Sequence, residues 1–434
     1  MYIAPKPPVP AEPLPFRQLF RAIRTNALTS WPEAAYEQPV LRRTLMGRTN
    51  LLLNEPDAIH HVLVENPGNY RRSPAALRIL RPIAGQGLLL SEGDTWRLQR
   101  RTIAPALAPR VMPMLIRYIE ATTSEAMDAL VQRIGGPVDL LLEMQNLTLE
   151  IAGRSMFSLE MGRYGGEMRR MLTDYAANHA RPSMMDLVLP PSIPTWGDFA
   201  RKRFQRRWMA LIESIMHDRL AAPESDTPRD LFDLLRAARD PETGAGFSPD
   251  ELRDQVATLI LAGHETTAVT LFWALTLLAR VPDTQNALAA NPSGPLGRAV
   301  VNEALRLYPP AYLIVREALG PDVAGQERIG RGDIVMIAPW ILHRHRGFWR
   351  DPDAFDPARF LPGTPPPPRF SYLPFGAGPR ICVGAQFALT EATLVLSALI
   401  GRFSVNFESD RPVLPVGIVT TQPDHAPAFR LARR

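Results

Sequence analysis

Between Ser248 and Arg280 the chain carries the pattern of one helix of about 33 residues, well beyond the roughly 8–20 of an ordinary globular helix. Its start is well marked. Ser248 stands as N-cap, Pro249 in the first turn, and Glu251 completes a capping box. The middle is unusual, because the apolar run Leu259-Ile-Leu-Ala262 gives way to Gly263-His-Glu265-Thr266-Thr267 before Val-Thr-Leu-Phe-Trp resumes. Polar residues inside a buried helix need partners, and such an interruption predicts a functional bulge.

Other helical patterns cover about 94–108, 113–133, 139–160, 165–180, 197–221, 229–239, 296–307 and 384–402, with a short one from Pro56 to Glu65. Strand patterns are few: Arg48 to Leu53, and after 308 the short runs Glu-Arg-Ile and Asp-Ile-Val-Met-Ile-Ala between glycines and prolines. A long irregular stretch, Arg344 to Pro374, reads as functional because loops of that length are uncommon in compact domains. The first 15 residues carry six prolines and predict an extended arm. No internal repeat or clean linker divides the rest. The expectation is a Pro-rich arm over 1–15 and one large domain over 16–434, mainly α with a small β region.

Formal charge is only +5, so the chain's basicity does not argue for nucleic acid. Nearly all of it is arginine, with lysine only at Lys6 and Lys202, and forked guanidinium groups suit carboxylate partners. A single cysteine excludes an internal disulfide and points to a reducing compartment. The proline-broken N-terminus is no targeting segment, and no membrane anchor is evident, so a cytoplasmic protein is expected.

That one cysteine lies in Phe375-Gly-Ala-Gly-Pro-Arg-Ile-Cys382-Val-Gly384, followed at once by an apolar helix. An iron-binding thiolate must stay deprotonated, and a helix N-terminus after Cys382 would favour the anion. Gly376, Gly378 and Gly384 would let the backbone approach a flat macrocycle. Arg380 could pair with an anionic substituent on its rim. The joint spacing Phe-Gly-x-Gly-x-Arg-x-Cys-x-Gly closely resembles the haem-binding signature of the cytochrome P-450 superfamily.

Other segments resemble the same family in the same order along the chain. Glu303 and Arg306 share a helical face and could be an ordinary surface pair. The resemblance, with Phe355-Asp-Pro-Ala-Arg359-Phe360, implies instead a buried Glu303–Arg306–Arg359 triad that locks the cysteine loop. The segment from Ala262 to Thr266 is similar to the family's oxygen-activation motif. That similarity implies that Glu265 and Thr266 relay protons to dioxygen, with Ala262 leaving room beside the haem. Trp96 and Arg100, four apart, resemble a propionate-binding helix, and Arg316 is a further propionate candidate unless Glu317 pairs with it. His264, His343 and His345 read as structural histidines, since no further His or Cys cluster accompanies them.

The resemblance implies a P-450 fold with haem b (iron protoporphyrin IX), and insertion of one oxygen atom from O₂ into a medium-sized lipophilic substrate. Electrons would come from an external ferredoxin and its reductase, because no dinucleotide-binding or flavin segment is visible. Arg101, Arg110, Arg369 and Arg380 are candidates for that docking face, and a monomer is expected. The implied pocket draws on the 76–90 loop, 181–199, 258–266, 308–314 and 416–420, with Leu88, Leu89, Tyr312, Leu313 and Ile418 as lining. A peroxide-driven haem-thiolate enzyme, a non-catalytic haem protein and a haem-free scaffold are the competing expectations. The Glu265–Thr266 pair argues against the first.

Overall fold

The structure, a computed structural model, describes residues 1–434 except 46, 191, 222 and 224–226. Its axis is the helix Pro249–Arg280, started by the Ser248–Glu251 capping box that the sequence predicts. Residues 267–278 of this helix are buried throughout. Around it pack Leu140–Phe157, Leu296–Leu307, Ala385–Arg402, Pro74–Ala84 and Trp196–Leu220. Length and composition alone would let the axial helix cross a membrane, but most of it is buried inside the protein. Trp273 anchors it by stacking on Tyr308, ring centroids 4.0 Å apart.

The axial helix has no bulge at its polar middle. Thr266, Thr267 and Thr270 donate to the carbonyls of Ala262, Gly263 and Thr266, at 2.6, 3.0 and 2.8 Å, and the helix stays α throughout. Hydroxyls that bond back one turn are satisfied without disturbing the backbone ladder, which is why the expected interruption does not appear.

A five-stranded sheet has the order Val40–Leu45, Arg48–Leu53, Ile334–Ile337, Ile314–Ala318, Tyr70–Arg72. Only Arg48–Leu53 with Ile334–Ile337 is parallel. In the last pair Arg72 lies directly opposite Arg316. Arg344 to Pro374 is irregular as expected, holding only the strand Ala354–Phe355 and the single turn Pro357–Phe360.

Several elements depart from the sequence expectations. The 76–90 loop is largely a helix, Pro74–Ala84, capped by Ser73, with Pro82 confined to its last turn. Helices Phe16–Thr25 and Pro282–Ala290 were not anticipated, nor was the strand Val40–Leu45. The short helix at Pro56 turns from α to π at His61–Glu65. The N-terminal arm lies on the body: Tyr2–Ile3 pairs with Ala354–Phe355, and Tyr308 donates its hydroxyl to the Pro5 carbonyl at 2.9 Å.

Candidate active site

A cavity of about 1120 Å³ opens between the axial helix, the sheet and the cysteine loop. It slightly exceeds the roughly 300–1,000 Å³ of ordinary ligand pockets. Phe375, Gly376, Arg380, Cys382 and Gly384 line it on one side, and Ala262, Gly263, Glu265 and Thr266 come from the helix.

The cysteine loop turns back on itself through Cys382 N–H donating to the Phe375 carbonyl at 2.9 Å. Gly376 and Gly378 both have positive φ, +72° and +70°, which side chains disfavour. A Cβ on Gly378 would strike the Leu63 carbonyl oxygen, so this glycine serves close backbone packing and not ligand access. Gly384 and Gly263 differ: a Cβ on either meets no protein atom within 4 Å, because both border the cavity. That open ground suits a flat macrocycle.

Helix Ala385–Arg402 starts three residues after Cys382, so the cysteine precedes its first turn. Burial pushes the Cys382 thiol up, against the Gly384 N–H and the Arg100 charge, which favour the anion. The Gly384 N–H at the helix start is thus one of the groups that would help to keep the sulfur ionised. A coordinated metal would do so.

Beside the cavity stands a cluster of partly buried cations. Arg72, Arg316 and Arg380 surround one carboxylate, Glu92. Arg380 bonds Glu92 and the Ser91 carbonyl and lies over the Trp96 ring, 4.5 Å from its centroid. Arg316 does not pair with Glu317, which is bound by Arg71 at 3.2 Å; its recorded bond is to the neighbouring Val315 carbonyl. Among the described residues Arg72 Nε has no hydrogen-bond partner, and Glu92 is 3.9 Å away. Arg72 is pushed down to about 9 and Arg316 to about 10, by burial first and then by neighbouring guanidinium charge. Arg100 joins the lining and donates to the Ile381 carbonyl at 2.8 Å. Three guanidinium groups around one carboxylate leave positive charge that two carboxylates could neutralise, as the propionates of haem would. Arg72 escaped the sequence reading.

On the axial helix, Glu265 Oε1 accepts from Thr420 Oγ1 at 3.1 Å and Gln422 Nε2 at 2.8 Å. Burial pushes its carboxyl above the usual carboxylate range, and these two donors oppose the shift. Thr266 spends its hydroxyl on Ala262. Glu391, buried with Oε1 unpaired among the described residues, also borders the cavity, and burial pushes its carboxyl far up.

The three charged residues expected to interact do so. Arg306 grips Glu303 through Nε and Nη2, both at 2.7 Å, and neither side chain is exposed. Arg359 Nε stands 3.7 Å from Glu303. Glu303 also accepts the Asp356 N–H at 2.9 Å, while Arg306 donates to the carbonyls of His343, Pro352 and Ala354. His343 Nε2 accepts the Leu373 N–H at 2.8 Å, tying this knot to the chain just before Phe375. His343 is thus structural, held neutral by burial and pushed down to about 3. His345 stacks on Phe348. No group of three metal-ligating side chains occurs among the described residues.

Leu88, Leu89, Tyr312, Leu313 and Ile418 all border the cavity, as do Pro182, Leu187, Leu189 and Pro190 from 181–199; Pro191 lies outside the described residues. Among the docking candidates, Arg101 is engaged by Asp240 at 2.9 Å and Glu242 at 2.7 Å, and Arg380 by Glu92. Arg110 and Arg369 remain exposed.

A family profile described as Cytochrome P450 matches residues 7–425. Cyclooctatin synthase of Streptomyces melanosporofaciens is 34% identical over 368 residues, covering 80% of this chain and 79% of that protein. Protein LUTEIN DEFICIENT 5, chloroplastic, of Arabidopsis thaliana is 29% identical over 418 residues, covering 88% of this chain and 69% of the relative. The crystal structure of the cytochrome P450DA heme domain superposes with a TM-score of 0.80 at 24% identity, over 100% of this chain and 99% of that one. This likeness extends the match to the whole fold. The chain belongs to the cytochrome P450 family, and with it to the haem-thiolate monooxygenases that use haem b, O₂ and electrons from a redox partner to oxidise organic substrates.

Proposed function

We propose that this enzyme hydroxylates a medium-sized lipophilic molecule (fatty-acyl, terpenoid or aromatic), drawing its electrons from a ferredoxin and ferredoxin reductase. The observation that carries the reading is the lining of one cavity. Cys382, the arginine cluster and the Glu265–Thr266 pair share it with apolar side chains such as Leu88, Leu89, Leu313 and Ile418. When bound, the haem supplies oxygen binding and the redox chemistry of oxygen insertion.

The chain's own residues have distinct tasks. Cys382 is the iron ligand, while Trp96, Arg72, Arg100, Arg316 and Arg380 hold the propionates by charge and by N–H donation. Glu265, raised by burial, holds its proton more tightly than an ordinary carboxyl and can pass it on, the property a general acid needs. Thr266 lines the cavity one residue further and can trade its bond to Ala262 for one into that space. Glu303, Arg306 and Arg359 are structural, fixing the loop that carries Cys382. Arg110 and Arg369, exposed and cationic, suit an acidic ferredoxin. We further propose a cytoplasmic monomer.

The reduced protein's carbon monoxide difference spectrum tests the assignment of Cys382. A strongly red-shifted Soret band is expected from the native protein and is lost in Cys382→His. A band at the ordinary histidine-ligated position in the native protein would overturn the assignment. Turnover that needs both reduced ferredoxin and O₂ would support the electron source, and turnover with peroxide alone would refute it.

A further inference from the structure

Glu265 is held from outside its own helix. Its two donors, Thr420 and Gln422, belong to the hairpin formed by Pro415–Gly417 and Thr421–Pro423. Both donate to the same oxygen, Oε1, and Gln422 Nε2 also bonds Thr420 Oγ1 at 2.8 Å. The three side chains form a closed triangle of hydrogen bonds. Because both donors take Oε1, the other carboxyl oxygen is left free of them.

The hairpin is anchored close to its tip, and the tip lies at the cavity. Trp273 Nε1 donates to the Thr421 carbonyl at 2.8 Å, and Thr421 Oγ1 donates to the Pro309 carbonyl at 2.6 Å. Tyr312 donates its hydroxyl to the Ile418 carbonyl at 2.8 Å, and the Gly417 N–H donates to Asn26 Oδ1 at 2.9 Å. None of these anchors uses Glu265, so the hairpin does not need Glu265 in order to fold. The tip residues Ile418, Val419 and Thr420 border the cavity. Glu265 therefore cannot swing without breaking two bonds to the element against which a substrate would lie.

We propose that Thr420 and Gln422 are positioning residues that hold the Glu265 carboxyl and tie it to the substrate-facing hairpin. The inference rests on the reading of Glu265 as the proton-holding acid. It assigns the neutral donors that fix the orientation of that acid, and it makes the hairpin tip the route by which cavity occupancy reaches it. Two neutral donors on a buried carboxylate favour its charged form, so losing either one alters both its geometry and its proton affinity.

The test uses the haem-loaded enzyme, with the carbon monoxide spectrum as a check on folding. The infrared carboxyl band of Glu265 is identified as the band missing in Glu265→Gln. Thr420→Val and Gln422→Met are expected to shift this band, and Thr420→Ser, which keeps the hydroxyl, to restore it. Substrate-free oxygen consumption driven by a surrogate ferredoxin and its reductase is expected to slow about fivefold in each disruptive variant, the worth of one neutral hydrogen bond. Its solvent deuterium isotope effect should move toward that of Glu265→Gln. An unshifted band in both Thr420→Val and Gln422→Met overturns the proposal. Should Glu265→Gln itself leave the rate and isotope effect unchanged, the relay reading of Glu265 falls, while the infrared band still decides the positioning.

Discussion

Replacing Glu303 with glutamine removes one charge and leaves shape nearly intact, so its cost can be worked from the contacts. Glu303 accepts two bonds from Arg306 and one from the Asp356 N–H, with Arg359 3.7 Å away and no exposure of either Glu303 or Arg306. A glutamine has one acceptor oxygen, so its NH₂ must face donors it cannot satisfy, either Arg306 Nε or both Arg306 Nη2 and the Asp356 N–H. Arg306 would keep three carbonyl partners and lose its counter-charge. Breaking a buried pair from one side costs about 3–5 kcal/mol. Unfolding entropy near ~2.1 cal/mol/K per residue gives about 0.9 kcal/mol/K for 434 residues. The melting temperature of Glu303→Gln should therefore fall by about 3–6 °C. Large haem proteins often unfold irreversibly, so variant and parent are compared by calorimetry at one scan rate, with Soret absorbance followed in parallel. Haem should be lost before global unfolding, because the knot fixes the loop that bears Cys382. Arg359→Ala, whose partner is farther and whose side chain is 16% exposed, should cost only about 1 kcal/mol. A Glu303→Gln protein that melts within about 1 °C of the parent and retains haem equally would refute the buried-charge reasoning.

Arg72→Ala should act with opposite signs on the two forms of the protein. The apoprotein gains stability as repulsion from Arg316 and Arg380 is relieved, whereas haem transfer to apomyoglobin accelerates about tenfold or more through loss of a charge-assisted bond. Unchanged haem transfer would remove Arg72 from the propionate site. Acid should destabilise the fold before most carboxylates titrate. Burial depresses His264 to about 4 and His343 to about 3 from 6.5, so the unfolded chain binds more protons in that interval. The contribution of these two residues is thus complete above pH 6.5 and falls as pH drops toward 3, by at most about 2.7 kcal/mol per unit from both together. Urea midpoints that stay level from pH 7 to 5 would contradict this. Charge reversal at Arg369 should slow ferredoxin-driven reduction and weaken its salt dependence, whereas Arg101→Glu should chiefly destabilise the protein by breaking its pairs with Asp240 and Glu242. Equal reduction rates for the Arg369 variant and its parent would exclude Arg369 from the docking face.

The parts of the site legible from the chain alone are those whose chemistry is local. The loop through Cys382 depends on glycines and an arginine at fixed short spacings, and the start of the axial helix on three residues within four positions. Glu303 and Arg306 meet because helical geometry brings positions three apart together, whatever surrounds them. Such patterns survive as text because short-range backbone geometry alone decides which side chains share a face. Arg72, Thr420 and Gln422 are different. Arg72 becomes an anion-binding candidate only when sheet register sets it against Arg316, and Thr420 and Gln422 matter only because a distant hairpin folds back over Glu265. The missing bulge has the same origin, since threonine hydroxyls can either break a helix or bond back along it. Burial, too, belongs to the whole fold. It raises Glu265 and Cys382, leaves Arg72 Nε without a partner among the described residues, and turns an ordinary-looking Glu-x-x-Arg into an ion pair with no exposure.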